Sequence, residues 1–499
     1  MSEHRVGTGV LVATCVSTLV VNANTSAVAI LLPSISEDTG SPISTLQWAV
    51  TGYSLVGAAC IVTSGALGDV LGRRKVFLGG LLLFIGSCVL IALSSAGLGV
   101  VGGRAIQGAA GSTILACGLS LLTLATDGPE RLRAVTLWGA ASAIGAAAGP
   151  LVGGLLVDST GWQGLFWIDA AIAAALIPVT LRTVTESRDP QRSGAIDWLG
   201  TALVALILAP LILGFSKGAD WGWGSLSTLA CFGVSVVSVF GFLAVEKRSP
   251  APLVDLSLLR NSLLIGSTLA ILIGAGTING LMFVMSLFFQ DPATLGLSPF
   301  EAGLATLPAT AGLVLFTPLV PRMATKWGSR TVILIGFIAM TGGFVVFLGV
   351  DASWTYTAFI LPILLVAIGM ALSNGPASAI GTSSVPPEQV GAASGISNMA
   401  RYVGAAVMTA IVAAVYATTS ADHLASGDAA DESLAAAFAG ASLVLAVVSA
   451  SGIALALLVA RHRPPKALAV DVAAAAASTS HTLPVPHPDA PERELVATR

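Results

Sequence analysis

The chain has 499 residues, of which 55% are hydrophobic and only 10% charged, with a formal net charge of −3. A water-soluble chain of this size carries about 25% charged residues, so most of this surface must face an apolar medium. Together with a mean hydropathy of +0.88 this excludes a soluble fold, while so small a net charge says little about partners.

From Val6 the apolar run leads straight into further ones with no small-residue cleavage site, so it reads as a first span and not as a secretory signal. Between Val76 and Ala125 the only ionisable side chain of the Asp, Glu, Lys, Arg or His kinds is Arg104, and between Ala134 and Val157 there is none. A helical span needs about 20 apolar residues. Breaking the chain at Pro, Gly and charge clusters gives 14 candidate spans, centred near residues 20, 56, 86, 114, 146, 171, 205, 236, 276, 311, 341, 367, 404 and 447. The spans must be helical, because lipid leaves unpaired backbone groups unsatisfied and the runs are too long and too weakly alternating for barrel strands. The expected fold class is an all-α polytopic membrane protein.

Of the 23 Lys and Arg residues, 20 fall in the N-terminus, every second loop and the C-terminal segment, from Arg5 and the Arg73–Arg74–Lys75 cluster to Arg461 and Arg499. Positive loops stay cytoplasmic, so both termini are expected inside, which an even span count allows. Polar stretches at 182–194 and 246–261 divide the chain into 6 + 2 + 6 spans. The expected domains are a six-helix bundle over 1–185, two linker helices over 193–246, a second six-helix bundle over 256–460, and a disordered cytoplasmic tail over 461–499. Weak internal similarity at an offset of about 257 residues aligns SPISTLQW (41–48) with SPFEAGLA (298–305), and the 65–77 turn recurs in degraded form at 321–333. Repeated halves around a central site are the build of alternating-access transporters.

Four motifs carry chemistry. The turn GALGDVLGRRKVF, residues 65–77, packs Asp69, Arg73, Arg74 and Lys75 into seven positions. Gly65 and Gly68 let span 2 approach a neighbour, and Gly72 permits the tight turn. Asp69 can pair with Arg73, or with Arg131 or Arg133 of the next basic loop. In span 4, Arg104 and Gln107 share a helix face, and an intramembrane arginine costs about 2.5–3.5 kcal/mol unless it faces the interior with a partner or snorkels to an interface. In span 5, Gly145, Gly149 and Gly153 recur every four residues as a smooth packing stripe, followed by Gly154, and Pro150 bends the helix. In span 6, Asp169 stands alone in the apolar run LFWIDAAIA.

These motifs make the chain resemble the major facilitator superfamily, and within it the 14-span drug:proton antiporters, over roughly residues 10–460. Gly65, Leu67, Asp69, Gly72, Arg73 and Arg74 match the G-x-L-x-D-x-x-G-R-R/K signature. Arg104 and Gln107 match R-x-x-Q-G, and GAAAGPLVGG (145–154) matches the antiporter motif of span 5. The resemblance implies a major-facilitator fold of two six-helix bundles with two inserted linker helices. It also implies that the Asp69–Gly72–Arg73 set is a conformational latch, holding the outward-facing state and breaking when the halves rock. Arg104 would then serve proton coupling by biasing a neighbouring acid, and the span 5 motif would mark an exporter.

Span 1 departs from the pattern. The family's L-D-x-T-x-V-N-V-A-L-P is ANTSAVAILLP here, with Asn24 at the acid position and Ala29 at the later asparagine. Asn24 cannot carry a proton, so coupling uses another acid or works differently. Asp169, where the family more often has asparagine, is one candidate, against a structural carboxylate salt-bridged across helices or near the membrane surface. Glu301 at the start of span 10 is the runner-up. Expected cavity-lining groups are Asn24, Gln107, Asn279, Met282 and Arg401, with Met285, Phe288, Gln290 and Asn374 beside them. Arg401 could pair with an acid, orient substrate or snorkel.

The expected function is proton-coupled efflux of an amphipathic drug or antibiotic. The alternative is a facilitator, exporter or importer, of a non-drug metabolite. An intramembrane enzyme or a sensor is the reading from another class. No nucleophile–base pair, metal cluster or phosphate loop stands in the sequence, the five histidines lie outside the span interiors, and no ATP-binding loop is present, so a secondary transporter and not an enzyme is expected. The five cysteines fall in apolar runs and read as packing thiols. No cofactor beyond the proton gradient is expected, and no nucleic-acid partner. The partners would be a small amphipathic substrate and the lipid bilayer, and the protein would be monomeric. The Ala- and Gly-rich composition points to a bacterial plasma membrane, crossed many times.

Overall fold

The computed structural model describes residues 3–126, 128–188, 197–249, 252, 256, 258–385 and 389–459. The loop at 189–196 and the tail at 461–499 lie outside the described residues. Among the described residues there are helices and turns and no strand.

The first six helices are α1 (Glu3–Thr39), α2 (Ile43–Leu71), α3 (Arg73–Ala92), α4 (Gly97–Leu124), α5 (Gly128–Thr160) and α6 (Gln163–Thr183). A pair follows, α7 (Trp198–Trp221) and α8 (Leu226–Glu246). Then come α9 (Ser262–Gln290), α10 (Pro299–Ala305), α11 (Leu307–Phe316), α12 (Val320–Trp327), α13 (Ser329–Phe347), α14 (Tyr356–Ser383), α15 (Val390–Ser426) and α16 (Ala430–Val459).

Among the described residues, thirteen runs are long and apolar enough to cross a membrane, and α5 supplies a fourteenth when its two arms, Leu137–Ala146 and Ala148–Thr160, count as one span. Those arms meet at 44°, because the ring of Pro150 occupies the space that the Ala146 carbonyl needs for a straight helix. The tenth span, Pro299–Trp327, is broken for the same reason. Proline stands in the first turn of α10, of α11, of the 3-10 turn Thr317–Leu319 and of α12, so each piece starts where a hydrogen bond is already missing.

Packing groups α1 with α4, α5 and α6, α2 with α4, and α3 with α4 and α6. Among the later helices, α9 packs on α14, α15 and α16, and α13 packs on α14 and α16. An aromatic cluster of Phe288, Phe289, Phe347, Phe359 and Phe438, with ring centroids 5.1–5.9 Å apart, ties one end of this second group together. The two groups meet along α2–α15, α5–α10, α5–α11 and α1–α9. The α7–α8 pair leans on the α2–α15 seam, where Ala58, Ala59, Ala406 and Ala410 are buried with Val204, Leu208 and Ile212.

Candidate functional site

Five helices of the first group converge on one buried polar cluster. Asn24 (α1), Arg104 and Gln107 (α4) have no exposed surface, and Asp169 (α6) keeps 4%. The Asn24 Nδ2 donates to Asp169 Oδ2 at 2.7 Å, while Arg104 Nη1 donates to Asn24 Oδ1 at 2.5 Å. The same Nη1 donates to Gln107 Oε1, and Gln107 Nε2 donates to Cys88 Sγ at 3.0 Å. Arg104 Nε donates to the Ala49 carbonyl of α2 at 3.0 Å. The guanidinium lies 4.2 Å from the centroid of the Tyr53 ring, over its face, a placement that attracts a cation in a dry setting. Arg104 Nη2 is buried without a hydrogen-bond partner.

The amide of Asn24 thus stands between a cation and a carboxyl, accepting from one and donating to the other. Both of its hydrogen bonds are to groups that can carry charge, which makes them stronger than neutral ones. A proton arriving on Asp169 cancels the charge that holds Asn24 Nδ2. The change then reaches α1 through Asn24 and α4 and α2 through Arg104. One carboxyl can therefore alter the packing of four helices.

Glycines bring these helices close enough to share the cluster. A Cβ on Gly108 would collide with the Tyr53 carbonyl, and one on Gly145 or Gly149 with the Leu19 or Ala23 carbonyl of α1. At Gly145 and Gly149 the α5 stripe therefore meets the α1 backbone, while Gly153 packs on the Leu31 and Ala27 side chains. Gly154 turns the other way, against Pro299 and Phe300 of α10, and Gly303 of α10 faces Pro150 and Leu151. With Ser286 Oγ donating to the Ala29 carbonyl at 2.5 Å and Gln290 Nε2 to the Ile30 carbonyl at 3.1 Å, the two groups are joined at the end that carries Asp38.

At the opposite end, Gly72 holds a φ of +113° between α2 and α3, a conformation that costs glycine least. Arg73 pairs with Asp69 at 2.7 Å. Its backbone N–H donates to the Ser187 carbonyl at 2.9 Å, the Arg74 N–H to Glu186 Oε1 at 3.1 Å, and Arg74 Nη2 to the Leu181 carbonyl at 2.6 Å. Glu186 thereby supplies a carboxylate to the start of α3, whose own Gly72 offers no capping side chain. These contacts stay within the first six helices and the segment after α6. The side chains of Arg131 and Arg133 lie outside the described residues.

Residues 14–409 match the Major Facilitator Superfamily. The chain belongs to that superfamily. Among its relatives, the tetracenomycin C resistance and export protein of Streptomyces glaucescens is 29% identical over 83% of this chain and 76% of its own length. The multidrug efflux pump LfrA of Mycolicibacterium smegmatis is 31% identical over 80% and 78%. The cephamycin export protein CmcT of Amycolatopsis lactamdurans is 30% identical over 83% and 86%. A crystal structure of a POT peptide transporter in complex with sulfate superposes with a TM-score of 0.67 at 14% identity, covering 92% of this chain and 99% of that one. That likeness shows the fold. The protein is a multi-pass membrane transporter of this superfamily and not an enzyme.

In this superfamily member, the sequence-predicted residues divide sharply. Asp169, Arg104, Asn24 and Gln107 come together. Asn24 and Gln107 do not line an open cavity as expected, because their amides are consumed by Asp169, Arg104 and Cys88 in a site closed to solvent. Glu301 lies apart, exposed in a capping box with Ser298, where its Oε2 accepts from the Ser298 N–H at 2.9 Å. Gly68 meets Cys117, but Gly65 has open space around it and makes no close approach. Met285 and Phe288 are buried in the apolar core. Met282 is partly buried against that core, and Asn279 spends its amide on the Ala275 carbonyl of its own helix. Arg401 is exposed and donates to Asn374 Oδ1 at 3.1 Å. Sequence reasoning missed Tyr53, Cys88, the Ala49 carbonyl and Glu186. A tyrosine and a thiol inside apolar runs carry no signal of their own, whereas an acid just past a span, in a loop with three arginines, was a visible clue.

Proposed function

We propose that this transporter exports an amphipathic drug or antibiotic across the bacterial plasma membrane by alternating access, driven by the proton gradient, with both termini cytoplasmic. The observation that carries the coupling is the burial of Asp169, a lone carboxyl joined through Asn24 to a buried arginine. Ionisable groups within spans mark proton and substrate pathways. The names of relatives near 30% identity support the export direction and the substrate class. The basic loops support the orientation. With that orientation the seam near Asp38 closes the external side. Asp69, Arg73, Arg74 and Glu186 brace the cytoplasmic end of the first bundle.

The test is accumulation of lipophilic compounds in a sensitised bacterial host. Expression should lower the cell content of at least one compound, and a protonophore should restore it. Export that ignores the proton gradient removes the coupling, and unchanged accumulation across a broad panel removes the export reading.

A further inference from the structure

Three ionisable side chains stand deep within the spans: Arg104, Asp169 and Arg401. The first two offset each other through Asn24. Arg401 has no such partner. No Asp or Glu occurs within α9, α14 or α15 before Asp422, and no carboxylate pairs with Arg401 among the described residues. Its contacts are amides: Nη2 donates to Asn374 Oδ1 at 3.1 Å and Nη1 to Asn398 Oδ1 at 3.4 Å.

The place of Arg401 matters as much as its charge. It lies eleven residues beyond Val390 at the start of α15, about 16 Å along the axis at 1.5 Å per residue. Its neighbour Tyr402 packs on Tyr53 with ring centroids 6.3 Å apart, and Tyr53 carries Arg104 on its face. Arg401 is therefore level with the buried cluster of the first bundle. From Ala393 to Tyr416 it is the only exposed residue of α15, a helix packed on α2, α7, α9, α14 and α16. The opening it faces is internal, since α15 presents no lipid-facing stripe over that length. Beside Asn374 on α14, Gly375 is exposed and has open space around it. A guanidinium has five N–H donors in a fixed fork, and the two amide bonds leave donors free for a planar oxyanion.

We propose that Arg401, with Asn374 and Asn398, is the subsite for an oxyanion on the substrate, so that the preferred cargo is an amphipathic organic acid and not a cation. This rests on the export reading for its cargo, and it names the chemical class which that reading leaves open. An apolar body would fill the space between the bundles while the acid completes the charge that Arg401 lacks. Asn374 and Asn398 position the fork and contribute no charge of their own.

The experiment uses the full chain in lipid nanodiscs and three probes with one apolar body: 1-pyrenebutyrate, its neutral amide, and the matching trimethylammonium. Binding is read by pyrene fluorescence after subtraction of empty nanodiscs. The wild type should hold the acid about tenfold or more tighter than the ammonium, the scale of one charge-assisted pair. Arg401→Gln should erase that preference, and Arg401→Lys should keep part of it, since the charge remains without the fork. Unchanged thermal unfolding would show that both variants fold. If Gln proves unstable, the wild-type ranking and the Lys variant still decide. Acid bound no better than ammonium, or a preference that survives Arg401→Gln, overturns the proposal. Export in cells without an acid preference refutes this subsite alone. Acid binding without any export refutes the export reading and leaves the subsite standing.

Discussion

Exchanging the two side chains of the Asn24–Asp169 pair tests the buried cluster as a unit. Asn24→Ala removes two charge-assisted hydrogen bonds, at 2.7 Å and 2.5 Å, each worth about 1.5–3 kcal/mol. The sum, about 3–6 kcal/mol, agrees with the roughly 3–5 kcal/mol lost when a buried charge pair loses one member. Asp169→Asn leaves Arg104, which has no exposed surface, without a compensating charge and should cost a similar amount. The double variant Asn24→Asp/Asp169→Asn keeps one carboxyl, one amide and one guanidinium in the same volume. It should recover about 2 kcal/mol or more relative to the additive expectation, at the upper end of coupling energies between contacting residues.

The buried or half-buried thiols, all five free, make a thiol-reactive fluorophore a convenient unfolding probe, with proteoliposome transport as the second readout. Both single variants should lose transport that responds to an imposed pH gradient, and the double variant should regain part of it. A double variant no more stable than the worse single one would refute the view that these residues act together. Wild-type coupled transport in Asp169→Asn would remove that carboxyl from the proton path.

Three further outcomes follow from the seams and the turn. Gly154→Leu drives a side chain into the Pro299 and Phe300 backbone, so transport should stop while the fold survives, and thiol labelling of introduced cysteines should show the Asp38 end held open. Gly108→Ala places a Cβ against the Tyr53 carbonyl, forcing α4 away from α2, and should cost about 1–3 kcal/mol of stability in the unfolding assay. Asp69→Ala removes the 2.7 Å pair with Arg73 and should slow turnover without weakening ligand binding; unaltered turnover would show that the pair only braces the turn.

The fold was legible because lipid imposes a rule that sequence obeys visibly. Apolar runs of the required length sit where the helices are, and even the fragmented span of α10–α12 reads as one run, since its prolines break the helix without adding charge. Asp169 was legible for the converse reason, a carboxyl standing out in an apolar background. What sequence hid were contacts across distance. Asn24 and Asp169 are 145 positions apart, and an amide in span 1 looks the same whether it lines a cavity or holds an acid. Glycine was half legible. The repeat at 145, 149 and 153 revealed a seam, but which neighbour each glycine meets depends on helix rotation, so Gly65 and Gly68, three residues apart, part company.

The placement of small residues and charges also says which parts move together. Within the first bundle, Arg104 reaches α1 and α2 through side-chain and backbone hydrogen bonds, and Asn24 carries that hold to α6. Shifting one of these helices alone would strand a buried polar group, so the four helices behave as one body. Between the bundles, α5 meets α10 through Gly154 and Gly303, and α2 meets α15 through alanines and the Gly57–Tyr402 contact. The α5–α10 contact has few side chains to repack and can part as rigid faces, whereas the α2–α15 seam also packs the Tyr53 and Tyr402 rings. Under the proposed coupling, a proton on Asp169 would not have to open a seam itself. It would change how firmly the four-helix body is held, and that change would bias the choice between two arrangements of the bundles.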